Sequence, residues 1–401
     1  MKIKFFLQKI FILLTAFCVF ISPTGGVITY GEDLKPREDA ISPFAAEEGS
    51  LNLNCKSAIL MEESTGAILY TQNIHESLPP ASVTKIMTLL LVMESLEAGV
   101  LRQDDMISVS ANAASMGGSQ IYLKEGERMS VEDLLKSVVI ASANDAAVAL
   151  AEAVAGSVSA FVGRMNTRAE QLGMTDTTFE NVTGLDDTAA NHLTSAHDIA
   201  VMSRELIRHR EILKYSSIWM DTIRDGAFGL TNTNRLVRFY SGCTGLKTGS
   251  TSKAGFCIST TAERDGLSLI CVIMGAETRD IRNAAATTLL DWGFASFGLY
   301  TISDTPLDPI PVRGSAMEAC PISCDSFSCV LPKDRVRSVE IRTNLPDSLA
   351  APLKKGEPIG CIEFLSDGKV IGNIPVFCAE EIPVFHFFHI LRRIVAKFLL
   401  I

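Results

Sequence analysis

The chain has 401 residues, 47% of them apolar, with a formal net charge of -10. That length exceeds one typical core, so two folded domains are expected. The acidic balance, with no basic stripe before the C-terminal helix, argues against nucleic acid as a partner. Lys2, Lys4 and Lys9 precede an apolar run over residues 10–21, and Ser22-Pro-Thr-Gly-Gly26 follows. The run is short for a spanning helix and reads as a secretory signal peptide over residues 1–31, with cleavage after Gly31 one option among several. Residues 32–50, charged and holding Pro36 and Pro43, are expected to form a linker.

A first domain is expected over residues 51–299. It opens with a hairpin-like pair, 57–61 and 67–71, around Glu63-Ser-Thr-Gly66. Ser82-Val-Thr-Lys85 then begins a run to residue 96 in which Ile86, Leu89, Leu90 and Met93 recur at helical spacing. Ser82 is therefore expected in the first turn of a buried helix, and Lys85, three residues on, shares its face. A serine hydroxyl needs a base to become a nucleophile, and a lysine serves only where burial or a second cation destabilises its ammonium. The stretch 131–140 is apolar on one face and begins at Ser130-Val-Glu-Asp133, a capping-box-like start. Ser142-Ala-Asn144 lies between it and the Ala-rich helical pattern 145–154; a local helix cap is the alternative to a catalytic pair. Lys247-Thr-Gly249 precedes two apolar segments, 255–261 and 267–274, separated by Arg264-Asp-Gly266. This reads as a β-hairpin with the motif leading into its first strand. Lys247 would lower the pKa of Lys85 and attract an anion, Thr248 offers a hydroxyl, and Gly249 lets substrate backbone approach closely. A helix over 282–297 closes the domain, and strands from its two ends can share one mainly antiparallel sheet.

The chain also carries decoys. Ser250–Lys253 repeats the Ser-x-x-Lys spacing in a Gly/Ser/Thr-rich stretch and reads as a polar loop, whereas Ser110-Ala-Asn112 follows a strand-like 106–109 and reads as a strand end.

The stretches Pro80-Ala-Ser-Val-Thr-Lys-Ile-Met87, Ile140-Ala-Ser-Ala-Asn-Asp-Ala146 and Gly245-Leu-Lys-Thr-Gly249 resemble the serine-type D-Ala-D-Ala carboxypeptidases, the low-molecular-weight penicillin-binding proteins. Gly118-Ser-Gln-Ile-Tyr-Leu123, Phe179-Glu-Asn-Val-Thr-Gly-Leu185 and Leu289-Leu-Asp-Trp-Gly-Phe294 are similar to the same family. The resemblance implies an α+β, penicillin-binding/β-lactamase-like catalytic domain, a small β-rich domain and a C-terminal amphipathic helix. It implies that Ser82 attacks the carbonyl between two D-alanines while neutral Lys85 takes its proton. The N–H groups of Ser82 and Ser250 would hold the oxyanion. Ser142 would relay a proton to the departing D-alanine, and Asn144 would orient Lys85 or the substrate amide. Lys247, Thr248 and Arg282 would engage the terminal carboxylate; a solvated helix charge is the alternative for Arg282. No metal or other cofactor is implied, and penicillin-type β-lactams should acylate Ser82. Relatives often carry His or an aromatic residue where this chain has Ser250, which leaves substrate preference more open than reaction type.

A second, β-rich domain is expected over 300–378, with a strand at 336–343 and a hairpin of 359–364 with 369–377 around Ser366-Asp-Gly368. Residues 382–401 read as an amphipathic helix in which His386, His389, Arg393 and Lys397 form one stripe. Arg392-Arg393 interrupts its apolar side, so lying in a membrane interface is favoured over spanning, and docking on the protein's own body is the alternative. The expected location is the extracytoplasmic face of a bacterial membrane. Nine cysteines follow the signal segment; Cys320, Cys324 and Cys329 invite a zinc reading but lack a fourth ligand at finger-like spacing, so buried thiols or a disulfide are expected. His192 and His197 are expected to be structural. A class A β-lactamase is the rival enzyme, but 145–246 holds no persuasive Glu-x-x-x-Asn, and a wall-binding scaffold without chemistry is the rival non-enzyme.

Overall fold

The near-continuous apolar run Leu267–Ala276 is what a strand covered on both faces requires, and it becomes the centre of the molecule. Ile270, Val272 and Met274 face one buried cluster while Leu269, Cys271 and Ile273 face another. The computed structural model describes residues 41–47, 49–185, 189–303 and 307–385. The expected signal segment lies outside these described residues, as does residue 386 onward of the helix expected over 382–401; its first residues, 382–385, are not helical, because Ile382 is buried in a bridge to Leu353 and the Phe385 N–H donates to the Gly314 carbonyl.

Six strands form the main sheet: β1 (Ile41–Glu47), β2 (Ser57–Glu62), β3 (Ile68–Gln72), β4 (Cys243–Thr251), β5 (Gly255–Arg264) and β6 (Leu267–Ala276). Their order is β1-β3-β2-β6-β5-β4, so strands from the two ends of the domain meet at β2 and β6. All neighbours are antiparallel except β1 and β3. Two expectations change. Residues 41–47 of the expected linker are a sheet strand. Lys247-Thr-Gly249 does not precede a strand but lies within β4, the outer strand of a three-stranded meander. Its polar, glycine-bearing sequence disguises a strand whose partner alone reveals it.

Helix α1 (Lys85–Glu97) is apolar almost all round and runs buried against one face of the sheet. Around it stand α2 (Val131–Ile140), α3 (Asn144–Ala155), α4 (Val158–Gln171) and α5 (Ala196–Arg208). The predicted cap holds: the Ser130 hydroxyl accepts the Asp133 N–H at 3.1 Å. Ser110, read as a strand end, instead caps the short helix Ala111–Ala114 and donates to Glu152 at 2.6 Å. On the other face lies α6 (Arg279–Ser296), which presents Ala285, Ala286, Leu289 and Leu290 to Leu60 and Leu269. A Cβ at Gly293 would come within 2.6 Å of the Leu60 side chain, so this glycine sets how closely α6 docks.

Strand Phe297–Ile302 leaves α6 and pairs with Phe327–Pro332, running straight through the expected boundary at 299/300. Beyond it, a four-stranded antiparallel sheet orders Ile322–Cys324, Lys369–Cys378, Pro358–Ser366 and Glu340–Asn344. Its hairpin turns at Asp367 and Gly368, both with positive φ (50° and 73°), as a two-residue primed turn demands. The strand expected over 336–343 begins later, because pairing with Pro358–Ser366 starts only at Glu340; Val336–Ser338 is a 3₁₀ turn.

Candidate active site

Ser82 sits in the 3₁₀ turn Ala81–Thr84 just ahead of α1 rather than within the helix itself. Lys85 is the first helical residue, fully buried, and its Nζ lies 3.0 Å from Ser82 Oγ and 3.0 Å from the Thr183 carbonyl. The loop that carries Thr183 is sewn to the same turn. From α1, Thr88 Oγ1 donates to the Val182 carbonyl at 2.8 Å, and within the loop itself the Asn181 side chain accepts the Gly184 N–H at 2.7 Å. His192 accepts the Glu180 N–H at Nδ1 (3.0 Å), which leaves Nε2–H to donate to Thr84 Oγ1 at 2.7 Å. It braces loop against turn, the structural role expected of it. Gly184, at φ +81°, lies so close that a Cβ would strike the Ala81 carbonyl.

Ser142 occupies the break between α2 and α3 in the left-handed region (φ 63°), a strained position for a residue with a side chain. Lys247 Nζ donates to Ser142 Oγ and to the Thr248 carbonyl, each at 2.9 Å. Thr248 Oγ1 donates to Thr233 Oγ1 at 2.7 Å. Asn144 donates its side-chain N–H to the Gly117 carbonyl at 2.7 Å, while its buried Oδ1 has no partner. Of the two roles expected for Asn144, orienting Lys85 falls instead to the Thr183 carbonyl. The free Oδ1 is suited to a substrate N–H.

Both lysines are destabilised as ammonium ions. Burial first, and then the charge of Lys247, hold the Lys85 amine well below the ordinary lysine range, opposed by the Asp145 carboxylate. Lys247 is lowered to about 7 by burial and by the Arg282 guanidinium. With Lys85 charged, its N–H points at Ser82 Oγ; with Lys85 neutral, the hydroxyl can donate to the amine along the same line.

The serines open onto a cleft of about 720 Å³ whose lining includes Ser82, Ser119, Ser142, Thr248, Gly249 and Ser250. Arg235, Arg279 and Arg282 line it as well, with no Asp or Glu among the lining residues, so the cleft suits an anion. Arg282 is no solvated helix charge: it is 3% exposed and donates to Asn283 Oδ1 at 2.8 Å and to the Cys257 carbonyl at 3.3 Å. Gly249 differs from expectation. A Cβ there would lie 2.7 Å from the Ser82 backbone nitrogen and 2.9 Å from the Pro80 carbonyl, so this glycine admits the nucleophile's own turn. Sequence reading missed Thr183, Asn181, Arg235, Arg279 and Trp219, although the first two lie in the family-like stretch 179–185. The decoy Lys253 stands exposed in the turn after β4, as expected.

Two serine–lysine pairs converging where a helical layer meets the outer strand of an antiparallel sheet define a serine acyl-transfer enzyme of the penicillin-binding fold. The chain belongs to the D-alanyl-D-alanine carboxypeptidase family, whose profile matches residues 43–278. Residues 321–384 match the C-terminal domain of penicillin-binding protein 5. Among curated relatives, the D-alanyl-D-alanine carboxypeptidase DacF of Bacillus subtilis is 38% identical, the match covering 88% of this chain and 93% of the relative. DacC of Escherichia coli is 35% identical over 87% of this chain and 90% of its own. Penicillin-binding protein 5 from Haemophilus influenzae superposes with a TM-score of 0.74 at 30% identity, covering 86% of this chain and all of that one. Penicillin-binding protein D2 from Listeria monocytogenes, solved in its ampicillin-bound form, gives 0.56 at 33% identity over 61% of this chain and 99% of that one.

Proposed function

We propose that this protein removes the terminal D-alanine from peptidoglycan stem peptides ending in D-Ala-D-Ala, through an acyl-enzyme on Ser82, and that penicillins acylate the same hydroxyl. The observation that carries the reading is the pair of contacts Lys85–Ser82 (3.0 Å) and Lys247–Ser142 (2.9 Å) on one cleft. Neutral Lys85 takes the Ser82 proton as Oγ attacks the penultimate carbonyl carbon. The backbone N–H groups of Ser82 and Ser250 receive the oxyanion. As the amide C–N bond breaks, the departing nitrogen gains a proton through Ser142, and Lys247 anchors that relay. Water then attacks the ester, its proton passing to Lys85, and Ser82 Oγ leaves as the hydroxyl. Thr248, Gly249 and Arg282 face the terminal carboxylate region, and the Asn144 Oδ1 receives a substrate N–H. The experiment is Ser82→Ala with a D-Ala-D-Ala pentapeptide and a labelled penicillin. Release of D-alanine and covalent label should both vanish, and unchanged release would end the reading.

We further propose export, with residues 1–31 removed and the part of 382–401 that follows Phe385 lying on the extracytoplasmic face of the cell membrane as a peripheral anchor, since Ile382 itself is held in a bridge to Leu353. The lysine-led apolar run and the basic, acid-free terminal stripe support this. A chain ending at Glu381 should leave the membrane fraction; continued sedimentation with membranes would refute the anchor.

A further inference from the structure

We propose that Cys320 and Cys378 are a disulfide-forming pair that closes the C-terminal β-rich region into a covalent loop. Their sulfurs lie 2.9 Å apart across 58 residues of chain, and the two residues are 0% and 1% exposed. Cys320 ends the short strand Ala319–Cys320, opposite Ile310, and Cys378 ends Lys369–Cys378, opposite Ile322. The surrounding backbone is already fixed. Ala379 N–H donates to the Pro321 carbonyl at 2.9 Å, Cys378 N–H to the Glu357 carbonyl at 2.9 Å, and Gly356 N–H to the Cys378 carbonyl at 2.8 Å. A disulfide needs a sulfur separation of about 2.05 Å, so side-chain movement of under about 1 Å completes it. The thiols now donate elsewhere, Cys378 to the Glu380 carbonyl at 2.8 Å and Cys320 to the Pro321 carbonyl at 3.3 Å. Neither is committed to a partner that bond formation would leave as a buried unpaired charge. Among the described residues no group of three or more His, Cys, Asp or Glu could hold a metal ion, and Glu380, two residues after Cys378, contributes its carbonyl here.

The oxidant is an external disulfide, either a small thiol in its oxidised form or an oxidoreductase. One thiolate attacks it, forming a mixed disulfide and releasing one thiolate. The second cysteine attacks the protein sulfur of that mixed bond and releases the other. Two protons leave the pair, and its two electrons reduce the external disulfide. Burial, with Cys378 and Glu380 beside it, pushes the Cys320 thiol up to about 12; Cys320 is then a poor nucleophile and neither buried sulfur is open to an external disulfide, so the bond forms while the region is still folding. The link would fasten the ends of this region at the point where the chain continues toward residues 382–401.

The test uses the full chain, unfolded and reduced, then refolded with a glutathione redox buffer or with reductant alone. Non-reducing peptide mapping of the oxidised sample should find residues 320 and 378 in one linked peptide. That sample should melt at least about 5 °C above the reduced one. Oxidant added after folding should label or link the pair at least about tenfold more slowly. Both thiols remaining alkylatable after oxidative refolding, or either one linked to a different cysteine, would overturn the proposal. Cys378→Ser should abolish the thermal difference, while Cys361→Ser should keep it. Penicillin labelling of the same samples reports on Ser82 separately, so loss of label would count against the proposed function and leave the cysteine mapping interpretable.

Discussion

Replacing Gly249 by alanine tests the site where its parts are packed most tightly. The added Cβ would sit 2.7 Å from the Ser82 nitrogen and 2.9 Å from both the Pro80 carbonyl and the Val83 nitrogen. Ordinary contact begins near 3.4 Å, so β4 and the nucleophile's turn must part by about 0.7 Å. All three neighbours are backbone atoms and cannot rotate aside. The turn is also held from behind by Gly184 and the loop over it, so β4 has to give. That retreat carries Thr248 and Ser250 away from Ser82, widening the space between the two oxyanion donors. A misplacement near 1 Å costs about 100-fold in rate, or about 2.7 kcal/mol of barrier. Overpacking should cost about 1–3 kcal/mol of stability. The assay is the second-order rate of acylation by a labelled penicillin, with a thermal melt as the control for folding. A variant that stays folded and acylates within about threefold of the parent would refute the steric argument.

Stability should depend on pH through Lys247. Its amine titrates at about 7 in the folded protein against 10.5 ordinarily, so between these values the unfolded chain binds more protons and stability rises with pH. Below about 7 both states are protonated and this contribution goes flat. Lys247→Met should therefore reduce the upward slope of urea midpoints measured from about pH 7.5 to 9.5; an unchanged slope would show that the buried amine is not the source. Acid should likewise slow acylation, since protonated Lys85 cannot accept the Ser82 proton. Asn181→Ala leaves the Thr183 and Gly184 N–H groups and the Leu185 carbonyl without their side-chain partner, at about 1–3 kcal/mol. The Thr183 carbonyl should then drift from Lys85 and acylation fall by roughly tenfold. Parent-like acylation kinetics would remove Thr183 from the list of groups that position the base.

What could be read from residues alone was whatever acts over a few positions. The three-residue step from Ser82 to Lys85 puts amine and hydroxyl on one side of a turn, whether that turn is 3₁₀ or α. Ser130 capped the helix it precedes, and Asp367-Gly368 turned the hairpin it separates. The order of the three motifs, together with the family-like stretches around them, was enough to name the chemistry. Packing decided the rest. Lys85 meets the Thr183 carbonyl across 98 positions and Lys247 meets Ser142 across 105, and no local pattern encodes either approach. Gly249 could be seen to need room, yet only the fold shows that Pro80, Ser82 and Val83 take it. Arg282 reads equally as a carboxylate partner or a solvated helix charge until α6 docks beside β5, and Cys320 has no evident partner until two strands bring Cys378 alongside. The physical reason is one of range. Caps, turns and helix faces are settled by bonded neighbours, whereas a buried amine's protonation and a glycine's tolerance depend on atoms that only folding brings near.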